Sequence, residues 1–318
     1  MIHASIADAV GNTPVVHLAR MFREEHYEVY AKLEYLNPLG SMKDRAARHV
    51  IEAWLGDGTV KPGGHIVESS SGNFGIALAA LAPLYGIRVT CVLDPNVSSV
   101  NLKILSSLGA RIDMVSARDR MGGFLETRLA RVRELTVEDP SAVWVNQYAN
   151  DLCWQAHYAH TAREIIEQVS GPLDALVIAV STTATLQGVS RRLREQWPDL
   201  KVIAADAYGS VVFGGTPAPR HLPGHGSSMR PELATRFDPD DVVHVREEDA
   251  VAGCRALLRT EGILAGASSG AVVSAIRTAG PALPAGSRVL TILPDRGERY
   301  MDLVYSDDPT PPWTGHVA

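Results

Sequence analysis

Short apolar runs alternate with longer amphipathic ones along nearly the whole chain, and their two periods predict strands and helices in turn. Val29 to Glu34, His65 to Glu68, Arg88 to Leu93, Arg111 to Val115 and Ala142 to Asn146 read as strands. Helical spacing marks Arg45 to Leu55, Phe74 to Leu84, Val100 to Leu108 and Gly122 to Thr136. A second series follows: helix Leu152 to Gln168, strand Ala175 to Val180, helix Leu186 to Trp197 and strand Lys201 to Asp206. The pattern lapses over residues 209 to 240, where glycine and proline crowd between Gly214 and Pro231. So long an irregular stretch reads as a lid or cleft wall, with a surface excursion as the alternative. Strand Val242 to Val245, helices Glu248 to Arg259 and Ser269 to Thr278, and strand Arg288 to Leu293 complete the series, and Pro309 to Gly315 reads as a loose tail. Short buried strands separated by helices imply parallel sheets with right-handed crossovers, an α/β protein. A domain boundary near Gln147 to Asp151 rests on the restart of the pattern alone.

Composition narrows the function more than the fold. The chain has 318 residues, 46% hydrophobic and only 6% aromatic, enough for a large core or two domains of layered α/β type. A net charge of -6 disfavours nucleic acid or an anionic membrane as the main partner. The cysteines, Cys91, Cys153 and Cys254, are too far apart for a metal cluster or a disulfide framework, and a reducing, cytoplasmic setting follows. Neither a signal peptide nor an apolar run of about 18 residues is visible, so a soluble protein is expected.

The turn Asn37-Pro38-Leu39-Gly40-Ser41-Met42-Lys43-Asp44-Arg45 delivers a lysine to the start of a helix, with Ser41 and Asp44 spaced as a capping box. The positive end of a helix dipole disfavours an ammonium there, and a neutral amine is what carbonyl chemistry needs. Taken alone, the stretch also fits an ordinary surface lysine. Glu68-Ser69-Ser70-Ser71-Gly72-Asn73-Phe74-Gly75 follows a strand and opens a helix, a natural cradle for a carboxylate or phosphate. Val180-Ser181-Thr182-Thr183-Ala184-Thr185-Leu186-Gln187-Gly188 repeats that grammar, without the lysine of a Walker loop. Gly262 to Gly270 places Ser268 and Ser269 at another helix start. Each alone suits a structural cap. Together with a helix-start lysine they make a ligand site.

From Gly11-Asn12-Thr13-Pro14 to Tyr300, these stretches and Leu293-Pro294-Asp295-Arg296-Gly297-Glu298-Arg299-Tyr300 resemble, in order and spacing, the fold type II pyridoxal-phosphate enzymes around cysteine synthase. The resemblance implies a fold like that of the tryptophan synthase β subunit, with two three-layer α/β domains and parallel-rich sheets. Residues 43 to 146 would form a smaller mobile domain, and 1 to 42 with 147 to 318 a larger one carrying the phosphate loop, the cofactor lying in the cleft. It makes Lys43 the lysine that joins pyridoxal 5'-phosphate covalently, and Asn73 the hydrogen-bond partner of the ring oxygen. Ser181, Thr182, Thr183, Ala184 and Thr185 would hold the cofactor phosphate, and Ser268 would face the pyridine nitrogen. Ser70, Ser71 and Gln147 match positions that bind the amino-acid carboxylate. Two departures weaken a purely thiol-making role: the phosphate loop is hydroxyl-rich rather than glycine-rich, and Phe74 replaces the usual threonine.

The reaction implied is β-replacement, joining O-phospho-L-serine and L-glutamate with loss of phosphate, in 2,3-diaminopropionate biosynthesis for a siderophore or peptide natural product. A phosphate leaving group needs a cation, and Arg128 is the candidate, with Tyr148 and Ser181 as helpers, the alternative for Arg128 being a solvated helix arginine. Arg230 is a weaker candidate for the second substrate, and Arg296 and His225 have no assigned role. Cysteine synthase activity on O-acetylserine or O-phosphoserine is the rival within enzymes. A docking protein that binds another enzyme's C-terminal tail is the rival outside them. No Gly-x-Gly-x-x-Gly turn follows the first strands, which disfavours a nicotinamide enzyme. The family further implies a homodimer acting on small amino acids; no metal is expected, and charge and hydropathy leave neither nucleic acid nor a membrane as partner.

Overall fold

The computed structural model describes residues 2–120 and 122–306. In chain order the strands are β1 (Val15–His17), β2 (Glu28–Leu33), β3 (His65–Glu68), β4 (Arg88–Leu93), β5 (Arg111–Met114), β6 (Ala142–Trp144), β7 (Ala175–Ala179), β8 (Lys201–Ala207), β9 (Asp241–Val245) and β10 (Arg288–Leu293). The helices are α1 (Lys43–Asp57), α2 (Asn73–Leu81), α3 (Ser99–Ser107), α4 (Leu125–Glu138), α5 (Asp151–Ala156), α6 (Ala162–Gln168), α7 (Ala184–Gln196), α8 (Glu247–Glu261) and α9 (Ala267–Ala279). The chain folds into two compact units, one of Met1–Val10 with Lys43–Ala156, the other of Gly11–Met42 with His157–Ala318.

The first unit is built on a four-stranded sheet in the order β5-β4-β3-β6, parallel throughout. Val67 and Val92 pack on the α4 side with Phe124, Val132 and Leu135. On β3 all of His65–Glu68 is buried, which explains why that strand carries an apolar run without clean alternation. The edge strand β5 is half exposed, and its Asp113 is held by Arg131 of α4 at 3.1 Å.

The second unit has a six-stranded sheet, β1-β2-β10-β7-β8-β9, parallel except for the antiparallel β1–β2 pair. Alternate residues of its central strands feed two cores. Ala175, Val177 and Val289 face α8 and α9, while Leu176, Ile178 and Leu290 face α6 and α7, so the unit has three layers. Edge strand β1 is too short to carry a period and was not legible in the sequence. Lys32 of β2 is wholly buried, donating to Thr13 O at 2.6 Å, Glu164 Oε2 at 2.7 Å and Gln168 Oε1 at 2.9 Å. A buried ammonium persists only with such a full set of acceptors.

Two expectations change in detail. The single helix read over Leu152 to Gln168 is interrupted by a π-helical turn at His157–Thr161, because His157 turns inward to bond Thr161 and Thr185. The helix read over Phe74 to Leu84 ends at Leu81 and passes into a 3-10 turn containing Pro83, which lacks the N–H needed to continue the α pattern. Residues 209 to 232 are irregular and are followed by a 3-10 turn at Leu233–Arg236. The tail at Pro309 to Gly315 lies outside the described residues.

Candidate active site

In the first unit Lys43 opens α1, and its charge reaches the Cys153 thiol on α5. Burial nevertheless pushes that thiol up to about 12, so Cys153 is an inert core thiol. The loop after β3 leads into α2, whose N-cap, Gly72, has no side chain to cap the helix. Ser70 Oγ accepts the Gly75 N–H at 3.0 Å, and Asn101 on α3 donates to Ser71 O at 3.1 Å. These bonds hold Ser70 and Ser71 beside the helix start. Gln147 follows β6 and donates from Nε2 to Ser69 O at 3.5 Å, which joins it to the same loop. Arg128 on α4 is no solvated arginine: its side chain is 14% exposed, and Nε lies 3.3 Å from Asp94 Oδ2 at the end of β4. Tyr148 is half-buried in the fields of Arg128 and Glu68, with its hydroxyl pKa raised chiefly by burial.

In the second unit β7 passes through Val180 into Ser181–Thr183, and α7 starts at Ala184. Thr183 at its N-cap has φ 66 and offers no side-chain cap to the helix. Its hydroxyl instead accepts Gln187 Nε2 at 3.2 Å. Thr185 Oγ1 lies 3.2 Å from His157 Nε2 and donates to Met42 Sδ at 3.4 Å. Met42 is the residue before Lys43, so the loop grips the chain at the point where it enters α1. The turn leading there is fastened twice. Asn37 donates to Glu34 Oε2 at 2.9 Å and accepts Gly11 N–H at 2.9 Å, while Glu34 also accepts the Thr13 hydroxyl at 2.7 Å. From the other side Arg296 Nε donates to Tyr35 O at 3.1 Å and Arg299 to Leu39 O at 2.7 Å. A Cβ on Gly40 would lie 2.8 Å from the Arg296 stem, so only glycine leaves room for that arginine. Arg296, unassigned in the sequence, is therefore a brace of the turn. Ser268 is buried in the first turn of α9, whose N-cap, Gly266, has no side-chain cap. Tyr300 donates to Asp295 Oδ2 at 2.6 Å beneath it.

A family model described as pyridoxal-phosphate dependent enzyme matches residues 6–295. The chain belongs to that family. Among its relatives, an N-(2-amino-2-carboxyethyl)-L-glutamate synthase of Ralstonia nicotianae is 51% identical over 318 residues, covering 100% of this chain and 93% of that protein. A protein of the same name from Cupriavidus metallidurans is 49% identical over 321 residues, again covering 100% of this chain and 93% of the relative. Among solved structures, an O-acetylserine dependent cystathionine β-synthase from Helicobacter pylori superposes with a TM-score of 0.89 at 30% identity, over 96% of this chain and 100% of that one. O-ureido-L-serine synthase superposes with a TM-score of 0.86 at 33% identity, over 95% and 94%.

This family's chain is a transferase-type enzyme whose cofactor is pyridoxal 5'-phosphate. The residues present fit it. An α7 N-terminus without a side-chain cap, flanked by the Ser181, Thr182, Thr183 and Thr185 hydroxyls, is a donor set for a phosphate dianion. Ser268 offers a neutral hydroxyl in a positive helix field, suited to an unprotonated ring nitrogen. Among the described residues no group of His, Cys, Asp and Glu could hold a metal ion, and no helix is long and apolar enough to cross a membrane. Arg230 is exposed and donates to Ala234 O at 3.4 Å. His225 is buried and kept neutral, its pKa pushed down to about 4 by burial and by Arg220. Sequence reasoning missed Asp94, His157 and the role of Glu68, because each matters through a partner distant along the chain.

Proposed function

We propose that this enzyme joins O-phospho-L-serine and L-glutamate into N-(2-amino-2-carboxyethyl)-L-glutamate by β-replacement, with release of phosphate. The observation that carries the reading is full-length identity of 51% and 49% to two synthases of that name. Bound pyridoxal phosphate supplies the electron sink for loss of the Cα proton and the β-substituent. Lys43 would hold the cofactor, and its amine would move the Cα proton. Asn73 would donate to the ring oxygen, Ser181 to Thr185 would hold the cofactor phosphate, and Ser268 would hold the ring nitrogen. Ser70, Ser71 and Gln147 bind the substrate carboxylate at the start of α2. Arg128 and Tyr148 receive the leaving phosphate, and the burial of the Arg128–Asp94 pair supports this, since a guanidinium shielded from water binds an oxyanion more strongly than an exposed one. The product feeds 2,3-diaminopropionate biosynthesis in the cytoplasm, and the working form is a homodimer.

Glutamate needs two carboxylates neutralised and its amine aimed at one carbon, whereas sulfide needs little binding surface. Competition therefore tests the reading: phosphoserine is offered with equal glutamate and sulfide, and the products are quantified by mass. We expect the glutamate adduct to dominate, Lys43→Ala to abolish turnover and the yellow colour in a folded protein, and Arg128→Ala to impair use of phosphoserine. Dominant cysteine with an indifferent Arg128→Ala variant would overturn the assignment in favour of a cysteine synthase.

A further inference from the structure

Glu68 ends β3, wholly buried at the foot of the Ser69–Gly72 loop. Its Oε1 accepts the Ser69 N–H at 2.7 Å and the Trp144 indole N–H at 3.4 Å, and its Oε2 accepts the Gln147 N–H at 3.4 Å. One carboxylate thus ties together the exit of β3, a side chain of β6 and the turn after β6. That turn contains Asn146 at φ 53, in the left-handed region that asparagine adopts more readily than most L residues. A glutamine at position 68 has a single acceptor oxygen, and its NH2 would meet an N–H that needs an acceptor.

We infer that Glu68 is a positioning residue for recognition of the substrate carboxylate, holding the Ser70–Ser71 loop and Gln147 in one register. The inference rests on the assignment of Ser70, Ser71 and Gln147 to that carboxylate, and it applies to any amino acid the site accepts. Protonation of Glu68 turns one oxygen from acceptor to donor and releases one of the N–H groups. Burial pushes its carboxyl up to about 7, against the N–H groups that pull it down, so this happens near neutrality. The titratable groups around it are Cys91 on the paired strand β4, Tyr148 after β6 and Cys153 on α5, all raised above their ordinary values by burial. The cations that act on these neighbours are Lys43 on α1, at Cys153, and Arg128 on α4, at Tyr148, while the carboxylate of Asp151 also acts on Cys153. His65, at the other end of β3, is bonded to Asp139 and Thr90.

The test uses the full-length protein loaded with pyridoxal phosphate, wild type and Glu68→Gln side by side at each pH between about 5.5 and about 8.5 so that ionisation of the ligand's own amine cancels, titrated with O-methyl-L-serine. Its apparent Kd is read from the cofactor's absorbance. In the wild type we expect binding about tenfold weaker at the acid end than at the alkaline end, the worth of one charge-assisted hydrogen bond lost, with a midpoint near the Glu68 pKa. Glu68→Gln should bind weakly and flatly across the range while retaining its cofactor, with KM raised more than kcat is lowered. A Glu68→Gln variant that keeps the wild-type step would overturn the inference, as would one that loses cofactor and substrate together. Should that variant fail to fold, the wild-type titration decides alone, and absence of the step rejects the idea. Failure of the wider reaction assignment would look different: the wrong product, with the pH step intact.

Discussion

Glu68 carries opposing demands of binding and stability. Its raised pKa means that the folded state favours the neutral carboxyl, so the residue's contribution is fully present below the unfolded value of 4.5 and is lost as pH rises through about 7. A shift of that size corresponds to about 3 kcal/mol of stability between acid and alkaline conditions. Glu68→Gln has no proton to lose. We therefore expect denaturant midpoints of wild type and variant to diverge with pH, the wild type losing ground relative to the variant between pH 5 and pH 8, about 3 kcal/mol at most. Parallel midpoints across that range would show that the N–H groups around the carboxylate outweigh its desolvation. The same residue scale explains Arg296, which has no assigned role in the sequence and whose neighbours make it a brace for the turn before Lys43.

Two helices of the second unit meet at backbone distance, and that contact is set by glycines. A Cβ on Gly270 of α9 would fall 1.8 Å from Ala250 O and 2.6 Å from Cys254 Sγ, and one on Gly253 of α8 would fall 2.4 Å from Gly270 O. Glycine inside a helix is costly on its own, by roughly 1 kcal/mol against alanine. Here the packing gain outweighs that propensity, and Ser268 on the first turn of α9 is positioned by it. Gly270→Ala should therefore destabilise the protein by about 3 kcal/mol, measured by urea unfolding, rather than stabilise it as helix propensity alone would have it. A gain in stability would mean that α8 and α9 can separate without loss. The π-helical turn at His157–Thr161 belongs to the same scale. Its register turns His157 toward Thr185, and an unbroken α-helix read from periodicity would aim that ring elsewhere.

For the whole molecule the first expectation is assembly: sedimentation of the purified protein should give a homodimer of the 34.2 kDa chain, and a monomer at micromolar concentration would reject the proposal. The alternation of strands and helices was legible because buried parallel strands and amphipathic helices have periods that a chain displays locally. Lys43, the serine loop before Asn73 and the threonine loop before Leu186 were legible for a similar reason, since a helix start with hydroxyls and glycine is written in consecutive residues. The sequence by itself therefore determined the α/β class, the family and where along the chain hydroxyl-rich helix starts occur. Only the tertiary structure decided which of these groups are gripped, and by what. Gln147 meets Glu68 across 79 residues, and Lys32 meets Glu164 across 132. Arg128 becomes a shielded cation only because Asp94 and the end of β4 stand beside it. Hydrogen-bond partners, burial and the charge state of a carboxyl depend on neighbours brought together by sheet pairing and helix packing, and no local period in a chain records them.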